Sequence, residues 1–199
     1  HFQIARAFIE AGFHVVCDKP MTTTLADAEE LCRLVEKHRT VFALTHNYTG
    51  YPMVKQAREL VRNGTLGTIL KIVAEYPQGW LAGATGISMW RLDPKIAGIS
   101  SAVGDIGLHA WHLARYISGL EVEAICADTT TFGTGYELED DANLLVHYQG
   151  GARGIVVLRP HPPAADTPHR GIRVAAVGED EHPASLVSHG ADRSHRDYF

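Results

Sequence analysis

The chain has 199 residues, 45% hydrophobic and 21% charged, with a formal net charge of -5; this excludes a disordered chain and allows one core or parts of two domains. No apolar run approaches the roughly 20 residues that cross a bilayer, and the acidic balance argues against a nucleic-acid partner. With no signal-peptide pattern and three scattered cysteines, Cys17, Cys32 and Cys126, lacking metal-ligand spacing, the expectation is a cytoplasmic protein with reduced thiols.

The chain opens on His1 with no initiator Met, directly in a helix whose apolar positions Ile4, Ala5, Phe8 and Ile9 recur at helical spacing. It reads as a chain missing its beginning. Gly12 stops this helix, and Phe13 to Cys17 reads as a strand. Thr22 to Thr24 offer N-caps for a helix over 25–38 with Leu31, Leu34 and Val35 inward, and Val41 to Leu44 is a short buried strand. That alternation predicts a parallel α/β sheet. A helix over 51–63 and a longer strand through Lys71, Val73 and Tyr76 follow.

Residues 77–103 then read as a Gly-rich loop with Trp80, Trp90 and Arg91, of a length usually reserved for function. After Gly104 an amphipathic helix runs to Ser118, followed by strands over 122–132, 142–148 and from Ala152, joined by hairpin turns. Hairpins imply a mainly antiparallel open sheet, so the second half is an α+β unit. The resulting division is 1–48 as the end of a dinucleotide-binding Rossmann domain, 49–159 as a substrate and oligomerisation domain, and 160–199 as an irregular tail. Pro160, Pro162, Pro163 and Pro168 and accumulated His and Arg mark that tail. A reading-frame slip near residue 155 would produce it, leaving the sheet an unpaired edge prone to aggregation.

Lys19 precedes Pro20 at a strand end, which holds it extended and lets its ammonium point into a cleft; an ordinary solvated turn lysine fits the same spacing. Asp105 and His109 are four residues apart, so on an α-helix they share a face and can touch, and a carboxylate beside an imidazole makes a general base. Such pairs are also common on helix surfaces. Adding His112 makes a stripe resembling part of a metal site, for which no further ligand is evident. Trp90-Arg91 reads either as a loop anchor, with Arg91 paired to Asp93, or as a platform for a hydroxylated ring. Asn47, Tyr48 and Tyr51 follow a strand's carboxyl end, where ligands collect and where turn residues also belong.

Residues 1–154 resemble the Gfo/Idh/MocA oxidoreductases. The matching segments, in order, are the Ala-Gly-x-His-Val run into Asp18-Lys19-Pro20, Trp90-Arg91 with Asp93-Pro94, and Gly104-Asp105-x-x-x-His109. The family usually has Glu at Asp18 and a Gly-rich run where this chain has Ser100 to Gly104, a departure that bears on the pocket's shape. The resemblance implies an NAD- or NADP-dependent dehydrogenase of a sugar, polyol or related small molecule, assembling as a homo-oligomer through its open sheet. His109 would take the hydroxyl proton, Lys19 would hold the hydroxyl and the nicotinamide ribose, and Asp105 would orient substrate or base. Asp18, Lys19, Pro20, Asn47, Trp90 and Arg91 would face the cofactor, and Lys19, Tyr51, Asp105 and His109 the substrate, with no metal ligand among them. A G-x-G-x-x-G run is missing from the chain, so the pyrophosphate loop is expected ahead of His1. Two other readings stay open: a metal-dependent hydrolase or isomerase using Asp105, His109 and His112, and a non-catalytic sugar-binding fragment.

Overall fold

The computed structural model describes residues 1–78, 90–159, 172–178 and 184–187. The Gly-rich stretch 79–89 with Trp80, and the tail prolines, lie outside the described residues. Helix α1 (Phe2–Glu10) leads into β1 (Val15–Cys17), and α2 (Leu25–His38) into β2 (Phe42–Leu44). Thr24 starts α2, its hydroxyl accepting from Asp27 N at 3.2 Å, which satisfies one of the donors left bare at a helix start. Strands β1 and β2 pair in parallel, Val16 opposite Ala43. Ala5 and Ile9 of α1 bury against Leu31 and Leu34 of α2, with Val35 and Phe42 closing this small core. Ile4 and Phe8 instead remain exposed.

The second unit is a six-stranded sheet. After α3 (Pro52–Arg62) come β3 (Ile69–Pro77), the short α4 (Pro94–Ala97), a π-helical turn over Val103–Gly107 and α5 (Leu108–Ser118). Then follow β4 (Val122–Thr130), β5 (Asp141–Tyr148), β6 (Arg153–Arg159), β7 (Arg173–Gly178) and β8 (Ala184–Val187). The strand order is β4-β5-β6-β3-β7-β8. Every neighbouring pair is antiparallel except β3 with β6. Alternation along β5 and β6 sends Ala142, Leu144, Val146, Tyr148, Val156 and Leu158 to the face covered by α3 and α5, where Val54, Ala57, Leu113 and Ile117 meet them.

Residues 172–178 and 184–187 correct the expectation of an irregular tail. Ile172, Val174 and Ala176 are buried at a period of two, and β7 pairs with β3 from Ile69 to Glu75. The interior edge expected to be open is therefore filled, and the described edges are β4 and β8. Prolines and histidines on either side mask a short apolar strand in the composition. Gly178 ends β7 against the backbone of the turn before β3: a Cβ there would overlap the carbonyl oxygen of Leu66, so only glycine fits.

Candidate active site

Because β1 and β2 are parallel neighbours, the turns at their carboxyl ends lie side by side, the position where open α/β sheets hold ligands. Asp18 ties them together, its Oδ1 accepting from Thr45 Oγ at 2.6 Å and from Lys19 N at 2.9 Å. Those two bonds, Thr45 foremost, hold the Asp18 carboxyl below its usual range. The Lys19–Pro20 peptide is cis, and the Pro20 carbonyl accepts from His1 Nδ1 at 2.8 Å.

Lys19 reaches across to the second unit. Its Nζ donates to Asp105 Oδ1 at 2.5 Å and to the Asp105 carbonyl at 3.0 Å. The other carboxylate oxygen of Asp105 lies 3.3 Å from Arg91 Nε, so one carboxylate bridges two cations. His109, in the first turn of α5, is only 7% exposed. Its ring stands edge-on to Tyr48 at 4.7 Å between centroids, and the Tyr48 and Tyr76 hydroxyls share a hydrogen bond of 2.8 Å. His46 lies edge-on to His109 at 6.4 Å and stacks on His112 at 3.8 Å. Burial, reinforced by the Lys19 charge, pushes the His109 imidazole down to about 4, and burial with His46 and Arg115 does the same to His112. His109 is thus a neutral imidazole at physiological pH, able to accept a proton.

The structure brings Lys19, Asp105 and His109 together but not by the contacts the spacing predicts. Asp105 sits in the π-helical turn, whose extra residue per turn takes it off the α-helical face of His109. Its carboxylate goes to Lys19 and Arg91. Arg91 therefore pairs with Asp105 and not Asp93, whose side chain caps α4 through Lys95 N at 2.9 Å. The Arg91 guanidinium lies 4.3 Å over the Trp90 ring, and Trp90 is half exposed, not packed. His112 turns to His46, so the metal stripe dissolves; among the described residues no three His, Cys, Asp or Glu side chains could share an ion. Asn47 is exposed where the 3-10 turn Asn47–Gly50 begins, and Tyr51 lies edge-on to Tyr48 at 5.7 Å.

Thr45, His46 and Tyr76 were missed by sequence reasoning. The strand-end rule applied to β2 covers Thr45 and His46; Tyr76, far off in β3, carries no such signal.

Two family descriptions match the chain, an oxidoreductase family with an NAD-binding Rossmann fold over residues 1–46 and a GFO/IDH/MocA C-terminal domain over residues 54–179. The second match carries the family through β7 in the present reading frame, past the point where a slip was expected. An uncharacterized oxidoreductase of Bacillus subtilis, YfiI, is 34% identical over 161 residues, 77% of this chain and 41% of that protein. Levoglucosan dehydrogenase of Pseudarthrobacter phenanthrenivorans is 35% identical over 132 residues, 66% of this chain and 33% of that protein. An inositol dehydrogenase homolog from Azotobacter vinelandii, solved with NAD+, superposes with a TM-score of 0.82 at 31% identity, covering 90% of this chain and 47% of that one. The chain thus spans less than half the length of these relatives. With both halves matched in order and the fold shared, the chain belongs to the Gfo/Idh/MocA oxidoreductase family.

Proposed function

We propose that this chain contributes the catalytic residues of an NAD- or NADP-dependent dehydrogenase acting on a secondary hydroxyl of a sugar or polyol. The observation that carries the reading is the Lys19–Asp105 ion pair beside a buried, neutral His109. An ammonium has three N–H groups, and Asp105 takes two of those of Lys19, leaving one for a substrate hydroxyl. That bond polarises the hydroxyl and stabilises the alkoxide as its proton passes to the imidazole of His109. Asp105 aims Lys19 through these two bonds, while Arg91 pairs with the remaining carboxylate oxygen. Tyr51, 38% exposed, offers a face for the apolar side of the ring.

The carboxyl ends of β1 and β2, with their exposed turn groups, fit a dinucleotide's nicotinamide end, which Asp18, Lys19, Pro20, Asn47, Trp90 and Arg91 would line. When bound, the nicotinamide supplies the hydride acceptor. Support for the substrate class comes from relatives named as levoglucosan dehydrogenase, myo-inositol 2-dehydrogenase and NADP(+)-dependent D-xylose 1-dehydrogenase. No described helix is long and apolar enough to cross a membrane, and the proposed compartment is the cytoplasm. The test is reduced-nicotinamide formation by the intact protein from levoglucosan, myo-inositol and D-xylose with each dinucleotide. At least one pair should turn over, and failure of a wider polyol panel with both cofactors would remove the assignment.

The bare sheet face is proposed as the contact with a second copy. An apolar row crosses five strands there through Ala175, Val73, Ile155, Leu145 and Cys126. Lys71, Arg153 and His147 flank it on one side; on the other, Glu75 stands opposite Arg173 in the register, with Asp128 on β4. A twofold axis along the apolar row lays it on the same row of the partner, an isologous apolar contact. Leu145, 56% exposed, is central to it. Leu145→Glu should turn a dimer into a monomer in sedimentation equilibrium without altering the circular dichroism; an unchanged mass would place the contact elsewhere.

A further inference from the structure

We propose that Glu139 is a positioning residue for Asp105, acting on the catalytic ion pair from a carboxylate that touches none of the reacting groups. This rests on the dehydrogenase reading above and extends it to a residue with no place in the family motifs quoted for this chain. The start of a helix leaves backbone N–H groups without internal partners, and the π-helical turn carrying Asp105 begins at just such a start. One oxygen of Glu139 answers several of them. Its Oε1 accepts from Ser100 Oγ at 2.6 Å, from Ser101 N at 3.0 Å and from Val103 N at 3.0 Å. The Glu139 carbonyl takes Ala102 N at 3.2 Å.

The next two donors complete the chain of custody from Glu139 to Asp105. Gly104 N donates to Ser100 Oγ at 2.9 Å, and that hydroxyl in turn donates to Glu139. Asp105 N donates to the Ser101 carbonyl at 2.8 Å, and Ser101 N is itself held by Glu139. Every amide from Ser101 to Asp105 is therefore bound to Glu139 or to a residue that Glu139 holds.

Glu139 is itself firmly seated. The neighbouring Asp140 is completely buried and its two carboxylate oxygens accept from Phe132 N at 2.7 Å and Gly133 N at 2.8 Å. Asp140 N donates to the Thr130 carbonyl at 3.1 Å. The dipeptide thus fastens the β4–β5 connection on one side and the Asp105 turn on the other. The rigid sheet becomes the reference frame for the carboxylate that aims Lys19. An acceptor oxygen set among several donors suits this task because it holds them together.

What matters at Glu139 is where its acceptor oxygen sits. In the intact enzyme Glu139→Ala should speed amide hydrogen exchange at residues 101–105 by tenfold or more and lower kcat by about tenfold to a hundredfold, the scale of a misplacement near 1 Å. The KM for the dinucleotide should stay within about twofold. Glu139→Gln, whose amide oxygen keeps an acceptor at the same place, should recover kcat to within about threefold of the parent. A readout independent of turnover is the Lys19 side-chain ammonium signal in nitrogen-detected NMR, which the bond to Asp105 protects from exchange with solvent; Glu139→Ala should broaden it and Glu139→Gln should not. Should Glu139→Ala fail to fold, Ser100→Ala removes the hydroxyl that joins Gly104 N to Glu139, leaves the Ser101, Ala102 and Val103 bonds in place, and should give a smaller loss in the same direction. Faster amide exchange with kcat and the Lys19 signal unchanged would overturn the proposal, as would Glu139→Gln behaving like Glu139→Ala. A parent enzyme with no dehydrogenase activity, whose Lys19 signal nevertheless responds as described, would defeat the functional reading and leave the positioning role standing.

Discussion

Lys19→Ala and His109→Ala, each made in the intact enzyme, should lower kcat by about a hundredfold to ten-thousandfold, the range for losing a positioned acid–base group. The two losses have different causes. Without Lys19 the hydroxyl loses the donor that stabilises its developing negative charge, and Asp105 keeps only Arg91 as cationic partner. Without His109 the imidazole seated among Tyr48, Tyr76 and His46 to take the proton is gone. Because the two act on the same proton transfer, the double variant should be little slower than the worse single one. Steady-state rates, with circular dichroism to confirm folding, check this. Rates within tenfold of the parent for both single variants would take the chemistry away from this pair.

Acid should destabilise the chain from about pH 6.5 downward, starting above the ordinary carboxylate range. His109 and His112 sit at about 4 in the folded state, and burial also lowers His46, whereas an unfolded histidine titrates near 6.5. Between those values the unfolded chain takes up protons that the folded chain refuses, so stability falls as pH drops from about 6.5 to 4. Above pH 7 these groups make stability flat, and below about 4 they add no further loss. At 1.36 kcal/mol per unit, buried His109 accounts for a loss on the order of 3 kcal/mol at pH 4, and the more exposed His112 for less. That is a large part of a domain's stability. Urea midpoints at pH 7.5 and 4.5 should differ strongly in the parent, and His109→Phe with His112→Phe should narrow the gap. Equal midpoints in the parent would mean that the imidazoles are hydrated and titrate normally.

Local patterns were legible in the sequence and distant partnerships were not. Helix α2 spans 25–38 as its cap and apolar period require. The strand-end positions of Lys19 and Asn47 follow from the α/β alternation. A parallel β3–β6 pair inside an otherwise antiparallel sheet leaves no local trace, because the register joins residues 82 positions apart, Lys71 with Arg153. Strand β7 goes unassigned in the sequence for a similar reason: the apolar run Ile172 to Val177 stands out within the tail but is credible as a strand only beside β3. At the site, the fold brings Lys19, Asp105 and His109 together through contacts other than those the spacing predicts. The i,i+4 rule assumes an α-helix, and the turn at Val103–Gly107 is π-helical. Arg91 and Glu139 are distant in sequence from the Asp105 turn they hold, and only the fold brings them to it.

The place of β3 in the sheet also shapes how the protein is made. A ribosome adding about 5 to 20 residues per second releases Lys71 roughly 4 to 16 seconds before its partner Arg153, and Val177, its partner on the other side, comes later still. Helix α3 has emerged before that interval and α5 emerges within it, and both can collapse onto the apolar face of β3, but they offer nothing to its two rows of backbone N–H and C=O groups. The central strand of the finished sheet is therefore, during synthesis, an exposed edge on both sides. Slowing translation between codons 78 and 152 lengthens that vulnerable period, and a holding chaperone that binds extended apolar segments protects the nascent chain there.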